Sequence, residues 1–319
     1  MVAVLDLDPA TYQSHPLHGG DRIWLETNCA ADLWIEALHA LGVDPVLGLG
    51  FTLSTDFDGD QWRMFTFPAE DLRRLFGIEV DELNVWRPLV DHVVDQLELQ
   101  HLVIVDVDAW HLPDTAGLTY RSAHQKTSIM IQMIDVEAKR LGYFHNRGYY
   151  ELDGEDFDAF LGPQAAPSGA LPPYALSVRI GNLRPQDEHT AVRATDVALE
   201  HLGRRASGSP VGRMAKRVAE DLPWLCGHDL ETYHRYAFGT LRQCGSNAEL
   251  AASLAAWLEV RLGRPRSEAA ELFESVAKSM KSVEFSLARA VRGKPCEPEA
   301  LFAEPEASWE AAMDRLAGC

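Results

Sequence analysis

The sequence predicts an α+β protein, in which a mixed α/β first half precedes a helical second half. ETNCAADLWIEALHALG, residues 26–42, predicts a helix because Leu33, Ala37 and Leu41 recur at helical spacing. HLVIVDVDAW is an apolar run bounded by acidic residues, which predicts a buried strand. After residue 175, four segments each carry an apolar stripe with i, i+3/i+4 spacing, which is typical of helices packed on a core.

The other elements of the first half follow from the same two periodicities. Alternating apolar residues indicate strands, and apolar stripes that end near a glycine indicate helices. The expected elements are a strand in QWRMFTFP, helices in AEDLRRLFGI and VWRPLVDHVVDQLELQ, and two strands in AHQKTSIMIQMID and RLGYFHNRGYYEL joined by a turn around residues 135–141. We therefore expect the first half to be an antiparallel sheet with the Cys29 helix packed against it.

A linker separates the two halves. LGPQAAPSGALPPY, residues 161–174, contains four prolines and two glycines, which disfavour both helix and strand. The charge also changes there: residues 1–160 hold 28 Asp and Glu against 10 Lys and Arg, whereas the rest of the chain is nearly neutral. The sequence thus predicts an α/β domain over residues 1–162 and a helical domain over residues 175–319.

Composition excludes several classes of protein. A net charge of −19 disfavours nucleic acid as a partner, since phosphates would be repelled. No uncharged apolar stretch is long enough for a membrane span, and the acidic N-terminus is not a secretory signal. Five scattered cysteines without a C-x-x-C pair indicate reduced thiols, so we expect a cytoplasmic protein without a cysteine-ligated zinc.

Cys29 is the first candidate for chemistry, because it stands at the beginning of the predicted helix. The unpaired amide groups and dipole of a helix N-terminus stabilise a thiolate, which is the reactive form of cysteine. A nucleophilic thiol also needs a base and a group that orients the base. The alternative is that Cys29 is a small apolar residue that packs in the helix.

His124 is the candidate base, and Asn146 is the candidate orienting group. His124 stands at the start of one predicted strand, and Asn146 stands at the end of the strand that returns. Antiparallel strands joined by a turn bring their far ends together, so these two side chains are expected to be neighbours. A helix-borne cysteine, then a histidine, then an asparagine is the order found in papain-like enzymes.

The stretch from NCAADLW through HLVIVDVDAWHLPDT and HQKTSIMIQMID to GYFHNRGYYELDGEDF resembles an uncharacterised bacterial family. That family distantly resembles the papain-like N-terminal domain of the butirosin-biosynthesis acyltransferase. The resemblance covers about residues 22–160 and implies that Cys29 is the nucleophile, His124 the base and Asn146 the orienting residue. The papain pattern has a glutamine six residues before the cysteine, where this chain has Ile23. We therefore expect the backbone amide of Cys29 and the side chain of Asn28 to bind the oxyanion.

The resemblance implies a cysteine-dependent acyltransferase that moves an aminoacyl group from a carrier-protein thioester to an amine or other small-molecule nucleophile. The expected partner is an acyl or aminoacyl carrier protein, which carries the phosphopantetheine, so the chain itself needs no cofactor. Because carrier proteins are acidic, docking is expected on basic clusters of the second half. These clusters are Arg204, Arg205, Arg213, Lys216 and Arg217, and Arg261, Arg264 and Arg266. A thioesterase, amidase or peptidase with the same Cys–His site, and an inactive binding scaffold of a biosynthetic complex, remain alternatives.

VDVDAWHLPD is a competing site, because Asp106, Asp108, His111 and Asp114 could bind a divalent metal. A simpler interpretation is that Asp108 or Asp114 caps the turn that follows the strand. A third is that Asp108 supports the thiol site. The expectation is that no metal binds here.

Overall fold

A computed structural model describes residues 1–162, 172–263 and 268–318. The chain divides into two compact units. The first comprises Met1–His18, Cys29–Asp44 and Pro68–Gln186, and the second comprises Gly19–Asn28, Pro45–Phe67 and the chain from Asp187 onward. The linker predicted at residues 161–174 lies largely outside the described residues, so the boundary between residues 162 and 175 stays a prediction.

The first unit combines strands and helices. Its strands are β1 (Val2–Ala3), β2 (Glu79–Glu82), β3 (His101–Asp108), β4 (Lys126–Asp135), β5 (Arg140–His145), β6 (Gly148–Asp153) and β7 (Ala175–Arg179). Its helices are α1 (Cys29–Ala40), α2 (Ala69–Phe76), α3 (Leu89–Glu98) and α4 (Gly154–Leu161), with short 3-10 turns at Pro16–His18, Ala109–His111 and Pro113–Thr115. The predicted helix that begins at Cys29 and the predicted buried strand that ends at Asp108 are both confirmed.

The strands of the first unit form one antiparallel sheet. Within the described residues its order is β2-β7-β3-β4-β5-β6, and β1 pairs with β4 at one end. The central ladder pairs Asp106 with Ser128 and Asp108 with Lys126. On the other side of β4, Met130 pairs with Phe144 of β5. These registers determine which polar side chains meet at the ends of the central strands.

The two faces of the sheet differ in what covers them. Val103, Ile129, Ile131 and Tyr143 project to one face, where they form a buried apolar core with residues of α3 and α4. Because side chains alternate along a strand, Ser128 and Met130 project to the other face. Helix α1 contacts β4 and β5 there. The residues of the candidate site thus lie beneath α1.

Three features of the first unit correct the sequence prediction. RLGYFHNRGYYEL forms the β5–β6 hairpin rather than one strand, since His145 pairs with Gly148 across a two-residue turn. The strand β7 follows the linker, where only helices were expected, and pairs with β2 and β3. The short strand β2 was not predicted. Both β2 and β7 form strands because they pair with segments that are distant in the chain. The local periodicity of the sequence does not indicate such pairing.

The second unit is helical, which confirms the predicted helical C-terminal region. Its helices are α5 (Glu188–Gly203), α6 (Pro210–Leu225), α7 (Leu230–Ala237), α8 (Gln243–Arg261), α9 (Ala269–Val291) and α10 (Pro298–Ala317). A π-helical turn, Phe238–Arg242, joins α7 to α8, and Pro45–Leu53 forms a 3-10 helix. Among the described residues, no helix is both long enough and apolar enough to span a bilayer.

Residues 61–67 of QWRMFTFP belong to the second unit, and the strand predicted for this segment is wrong. Apart from a single bridge between Phe57 and Trp62, this segment pairs with no strand among the described residues. Phe65 and Phe67 are buried against Phe51, with ring centroids 5.8 and 5.3 Å away. The alternation of buried and exposed residues is real, but ring packing rather than a hydrogen-bonded ladder produces it.

Candidate active site

Cys29 is the first residue of α1, and its side chain is partly exposed. The first N–H groups of a helix have no partner within the helix, so the thiol lies at the positive end of the dipole. Apart from Asp32, Glu36 and His39, the rest of α1 is apolar, and Leu33, Ile35 and Leu38 are fully buried. Burial of this helix against the sheet thus places the thiol above β4.

Ser128 of β4 is the polar residue beside the thiol. Cys29 Sγ lies 4.0 Å from Ser128 Oγ, and this is the hydrogen bond that the thiol makes among the described residues. Ser128 Oγ lies 2.6 Å from Asp106 Oδ1, on the neighbouring strand. Lys126 Nζ is 3.3 Å from Ser128 Oγ and 3.0 Å from the same Asp106 oxygen.

The chemistry of these groups sets the direction of the hydrogen bonds. An ionised carboxylate only accepts, so the single hydroxyl proton of Ser128 points to Asp106. An ammonium only donates, so Ser128 Oγ accepts from Lys126. The second lone pair of Ser128 Oγ is then available to accept from the thiol of Cys29. The result is a directed chain of donors from the thiol through the hydroxyl to the carboxylate.

His124 pairs with Asp108 rather than with Cys29. Its Nδ1–H donates to Asp108 Oδ2 at 2.5 Å, and its ring stacks on Trp110 with centroids 4.5 Å apart. Its side chain is 73% exposed. Asp108 also accepts from the backbone N–H groups of Trp110 and Gln125, so it caps the following turn. That is the simpler of the interpretations considered from the sequence.

These contacts determine the ionisation of Asp108. Burial raises the pKa of its carboxyl group, but the hydrogen bonds from His124 and from the two backbone amides lower it by more. The net pKa therefore lies below the ordinary value for aspartate, and the carboxylate holds the imidazole in one orientation.

Asn146 lies in the turn of the β5–β6 hairpin and has a φ of 45°. Asparagine tolerates this left-handed backbone conformation better than most residues do. Continuing the register that pairs Met130 with Phe144 by two residues aligns Asn146 with Ser128, not with His124. Its predicted role as the orienting partner of His124 stays a prediction.

Asn28, the expected oxyanion donor, belongs to the second unit. Its side-chain amide donates to the carbonyl oxygen of Phe65 and to Oε1 of Gln243, each at 3.1 Å. Gln243 also donates to the carbonyl of Thr27. These bonds fix the segment that immediately precedes Cys29 in the chain.

The four polar residues of the competing metal site point in different directions. Asp106 contacts Ser128, Asp108 caps its turn, Asp114 bonds to His145, and His111 lies 4.0 Å from Asp156. Over residues 1–162, 172–263 and 268–318, no group of three or more His, Cys, Asp or Glu side chains is arranged to hold a metal ion.

Comparison with known families places both halves of the chain in one family. The DUF1839 N-terminal domain matches residues 13–180, and the DUF1839 C-terminal domain matches residues 187–318. The chain belongs to the DUF1839 family. Among curated proteins, none matches it.

This DUF1839 protein also holds a hydroxyl–imidazole–carboxylate network, on the opposite face of the sheet. Thr127 Oγ1 lies 2.8 Å from His145 Nε2, and His145 Nδ1–H donates to Asp114 Oδ2 at 2.6 Å. Tyr143 donates to the other Asp114 oxygen. The His145 and Asp114 side chains are 2% and 3% exposed, so no substrate reaches them. We interpret this group as a buried network that fixes the segment after β3 to the hairpin.

His18 is a further buried histidine of the DUF1839 protein. Its ring bonds to Glu36 and lies 3.3 Å from Asp32, both on α1, and all three side chains are almost fully buried. Burial lowers the pKa of His18, but the two carboxylates outweigh that effect and raise it to about 9. A charged imidazolium therefore offsets the acids of α1 and anchors the N-terminal segment on it.

Sequence reasoning missed Ser128 and Lys126, which the structure places at the thiol. A serine and a lysine in a strand of apolar residues are ordinary, so neither carries a sequence signal. The available clue was alternation: within the apolar middle of KTSIMIQMID, Ser128 and Gln132 are polar residues on either side of Met130. Buried polar residues need partners, and such positions are candidates for a site.

Proposed function

We propose that this protein is a cysteine-dependent acyltransferase in which Cys29 is the nucleophile. The observation that carries the proposal is the directed hydrogen-bond chain from the partly exposed thiol through Ser128 to Asp106. A thiol at a helix N-terminus with a route for its proton is what nucleophilic catalysis requires. A buried packing cysteine requires neither.

The proton of the thiol follows that chain in the proposed reaction. Ser128 Oγ takes the proton from Cys29 Sγ as the Ser128 hydroxyl proton passes to Asp106. The thiolate then adds to the carbonyl carbon of a thioester, and the bond between that carbon and the donor sulfur breaks. The donor leaves as a thiol after the proton returns along the chain, and Cys29 keeps the acyl group. An acceptor amine then attacks the acyl carbon, the bond to Cys29 Sγ breaks, and the amine proton passes to a separate base.

His124 and Asp108 have a second role in this proposal. They form an exposed imidazole–carboxylate pair at the same end of the central strands as Ser128. Asp108 lies on β3 two residues beyond Asp106, the residue that pairs with Ser128, and His124 precedes the start of β4. A neutral imidazole suits a base for the incoming acceptor, since that proton is released in a separate step. Cys29, Ser128 and Asp106 would form the acyl-enzyme. His124 would then act as the base when the acceptor takes the acyl group.

The identity of the donor rests on the resemblance of the first half to the papain-like domain of the butirosin-biosynthesis acyltransferase. A helix-borne cysteine above an antiparallel sheet is consistent with a papain-like fold, which we propose for the first unit. The donor would be an aminoacyl group on the phosphopantetheine of a carrier protein, and the acceptor a small-molecule amine.

The charged residues of the second unit limit where such a carrier docks. Arg213 bonds to Asp56, and Arg217 bonds to Asp221 at 2.7 Å, so these cations are already paired within their own unit. Lys216, between them on α6, is exposed. Arg264 and Arg266 of the other predicted cluster lie outside the described residues. A carrier that docks on α6 would have to exchange partners with these carboxylates.

The direct test uses an aminoacyl thioester of pantetheine, which does not depend on carrier docking. Intact-protein mass spectrometry should show one acyl group on the wild type and none on Cys29→Ala. Cys226→Ala is the matched control, because it removes an exposed thiol elsewhere and should keep the adduct. An adduct that persists in Cys29→Ala would show that the proposed nucleophile is wrong.

Two alternatives give different results in the same experiment. A hydrolase would also form the Cys29 adduct, but the acyl group would be released to water at a rate that added amines do not change. The binding scaffold is favoured by one observation: among the described residues, no histidine is hydrogen-bonded to the thiol. A scaffold would bind the carrier protein without forming any adduct.

A further inference from the structure

The second unit contains a cavity of about 710 Å³ that the proposed reaction does not use. The end of α6, the end of α9 and the segment that leads into α10 line it. Two cysteines, Cys226 and Cys296, lie in its wall although they are far apart in the chain. Both are free thiols. Four of the five cysteines lie in the described residues, and two of those four share this cavity.

The two thiols differ in accessibility. Cys226 is the residue that follows α6, its side chain is exposed, and its Sγ lies 3.6 Å from the carbonyl oxygen of Ala290, which also lines the cavity. Cys296 is half-buried between α9 and α10. Burial raises the pKa of Cys296, and the nearby Cys226 raises it further, as expected for two sulfur atoms that would repel each other as thiolates.

Neither cysteine is inside a regular element, which matters for disulfide formation. A disulfide needs Cβ atoms about 4 Å apart and a narrow range of dihedral angles. A helix end and a connecting segment can adjust to reach that geometry, whereas residues inside packed helices cannot. Cys244 provides the contrast, because it is fully buried inside α8.

We propose that Cys226 and Cys296 are a redox-active pair that a low-molecular-weight disulfide converts into an intramolecular disulfide. The exposed Cys226, as its thiolate, attacks one sulfur of the small disulfide, whose S–S bond breaks and releases one small thiol. Cys296 then loses its proton and attacks Cys226 in the mixed disulfide, which releases the second small thiol. The protein loses two protons and two electrons, and the small disulfide gains them.

The charges around the cavity indicate which small disulfide reacts faster. Lys294 is accompanied there by two carboxylates, Glu297 and Glu299. The excess of negative charge disfavours an anionic reagent such as oxidised glutathione. A neutral reagent, bis(2-hydroxyethyl) disulfide, should therefore react faster at low ionic strength, and added salt should reduce the difference.

The test begins with the fully reduced full-length protein and bis(2-hydroxyethyl) disulfide. Acid quenching, thiol alkylation and peptide mapping should show a peptide pair joined through Cys226 and Cys296. In Cys296→Ser the reaction should stop at a mixed disulfide on Cys226. Cys244 should remain a free thiol throughout. The joined protein should have a higher urea midpoint than the reduced protein, since the link constrains the unfolded chain.

Two outcomes would overturn the inference. One is a wild-type protein that carries separate mixed disulfides on Cys226 and Cys296 without a link between them. The other is a link from either residue to Cys29 in preference to this pair. Both outcomes are measured on the wild type, so they do not depend on whether a variant folds, and neither bears on the acyl transfer proposed for Cys29.

Discussion

The reactivity of Cys29 depends on which group accepts its proton. Two carboxylates lie near the end of β3, only two residues apart in the chain, and each holds a different partner. Asp106 bonds to Ser128, which contacts the thiol, whereas Asp108 bonds to His124. If the base is the imidazole, as the sequence predicts, loss of Asp108 should be harmful. If the base is instead the hydrogen-bond chain of Ser128 and Asp106, loss of Asp106 should be harmful.

Asp106→Asn and Asp108→Asn separate these two possibilities with the same chemical change. We expect Asp106→Asn to slow alkylation of Cys29 by iodoacetamide by about 100-fold, the usual effect of losing a general base. Asp108→Asn should leave that rate within about threefold of the wild type. The readout is the rate of carboxamidomethylation at Cys29 by peptide mapping, with Cys226 as the internal reference. The reverse ranking would restore His124 as the base.

How far the site could be predicted follows from the same residues. The position of Cys29 at a helix N-terminus was predictable because a local apolar period and a glycine mark that helix. The pairing of Cys29 with Ser128 was not, since it depends on where β4 lies beneath α1. Asn146 in its turn was open to prediction: asparagine in a two-residue loop between strands is a hairpin signal that a single-strand interpretation overlooked.

At the scale of elements, helix ends show how glycine can be required for two separate reasons. Gly42 follows α1 with a φ of 72°, and Gly77 follows α2 with a φ of 76°. Both adopt the left-handed conformation that disfavours a side chain. A Cβ at Gly42 would meet nothing within 4 Å, whereas a Cβ at Gly77 would lie 2.1 Å from the carbonyl oxygen of Asn182.

We therefore expect Gly77→Ala to be much more destabilising than Gly42→Ala. Gly42→Ala should cost about 1 kcal/mol of unfolding free energy, the price of left-handed backbone alone. Gly77→Ala adds a clash with backbone that cannot swing away, so its cost should be at least about 3 kcal/mol. Urea unfolding of both variants measures the difference. Equal costs would mean that the segment around Asn182 moves freely away from α2.

The elements themselves were predictable to different degrees. Long stripes such as those of α6 and α9 are local patterns, and the helices match them closely. The strand β7 is five residues long, and it depends on pairing with β3, more than sixty positions earlier in the chain. A short strand of this kind has no local signal that distinguishes it from the start of a helical domain.

At the scale of the whole molecule, the acidic first unit must manage its own charge. The first unit holds 23 Asp and Glu against 10 Lys and Arg, and this imbalance destabilises the compact state by self-repulsion. Buried acids make the problem worse unless a cation accompanies them. His18 is such a cation, since Asp32 and Glu36 hold it in the interior, and Tyr12 donates a further hydrogen bond to Glu36 at 2.6 Å.

This arrangement predicts how the stability of the first unit depends on pH. The pKa of His18 rises from 6.5 to about 9 on folding, so the folded state binds the proton more tightly than the unfolded chain does. The stabilisation is therefore complete below pH 6.5 and is lost as the pH rises through 9. The pKa difference corresponds to on the order of 3 kcal/mol.

Urea unfolding from pH 6 to pH 9.5 should show this loss in the wild type. In His18→Gln the same span should be nearly flat, because the neutral amide does not titrate. His39→Gln is the control, and it should keep the slope, since His39 lies near the C-terminal end of α1 and bonds to the carbonyl of Gln13. If the stability of the wild type increased from pH 6.5 to 9, His18 would be neutral in the folded protein. Another cation would then have to balance the buried carboxylates of α1.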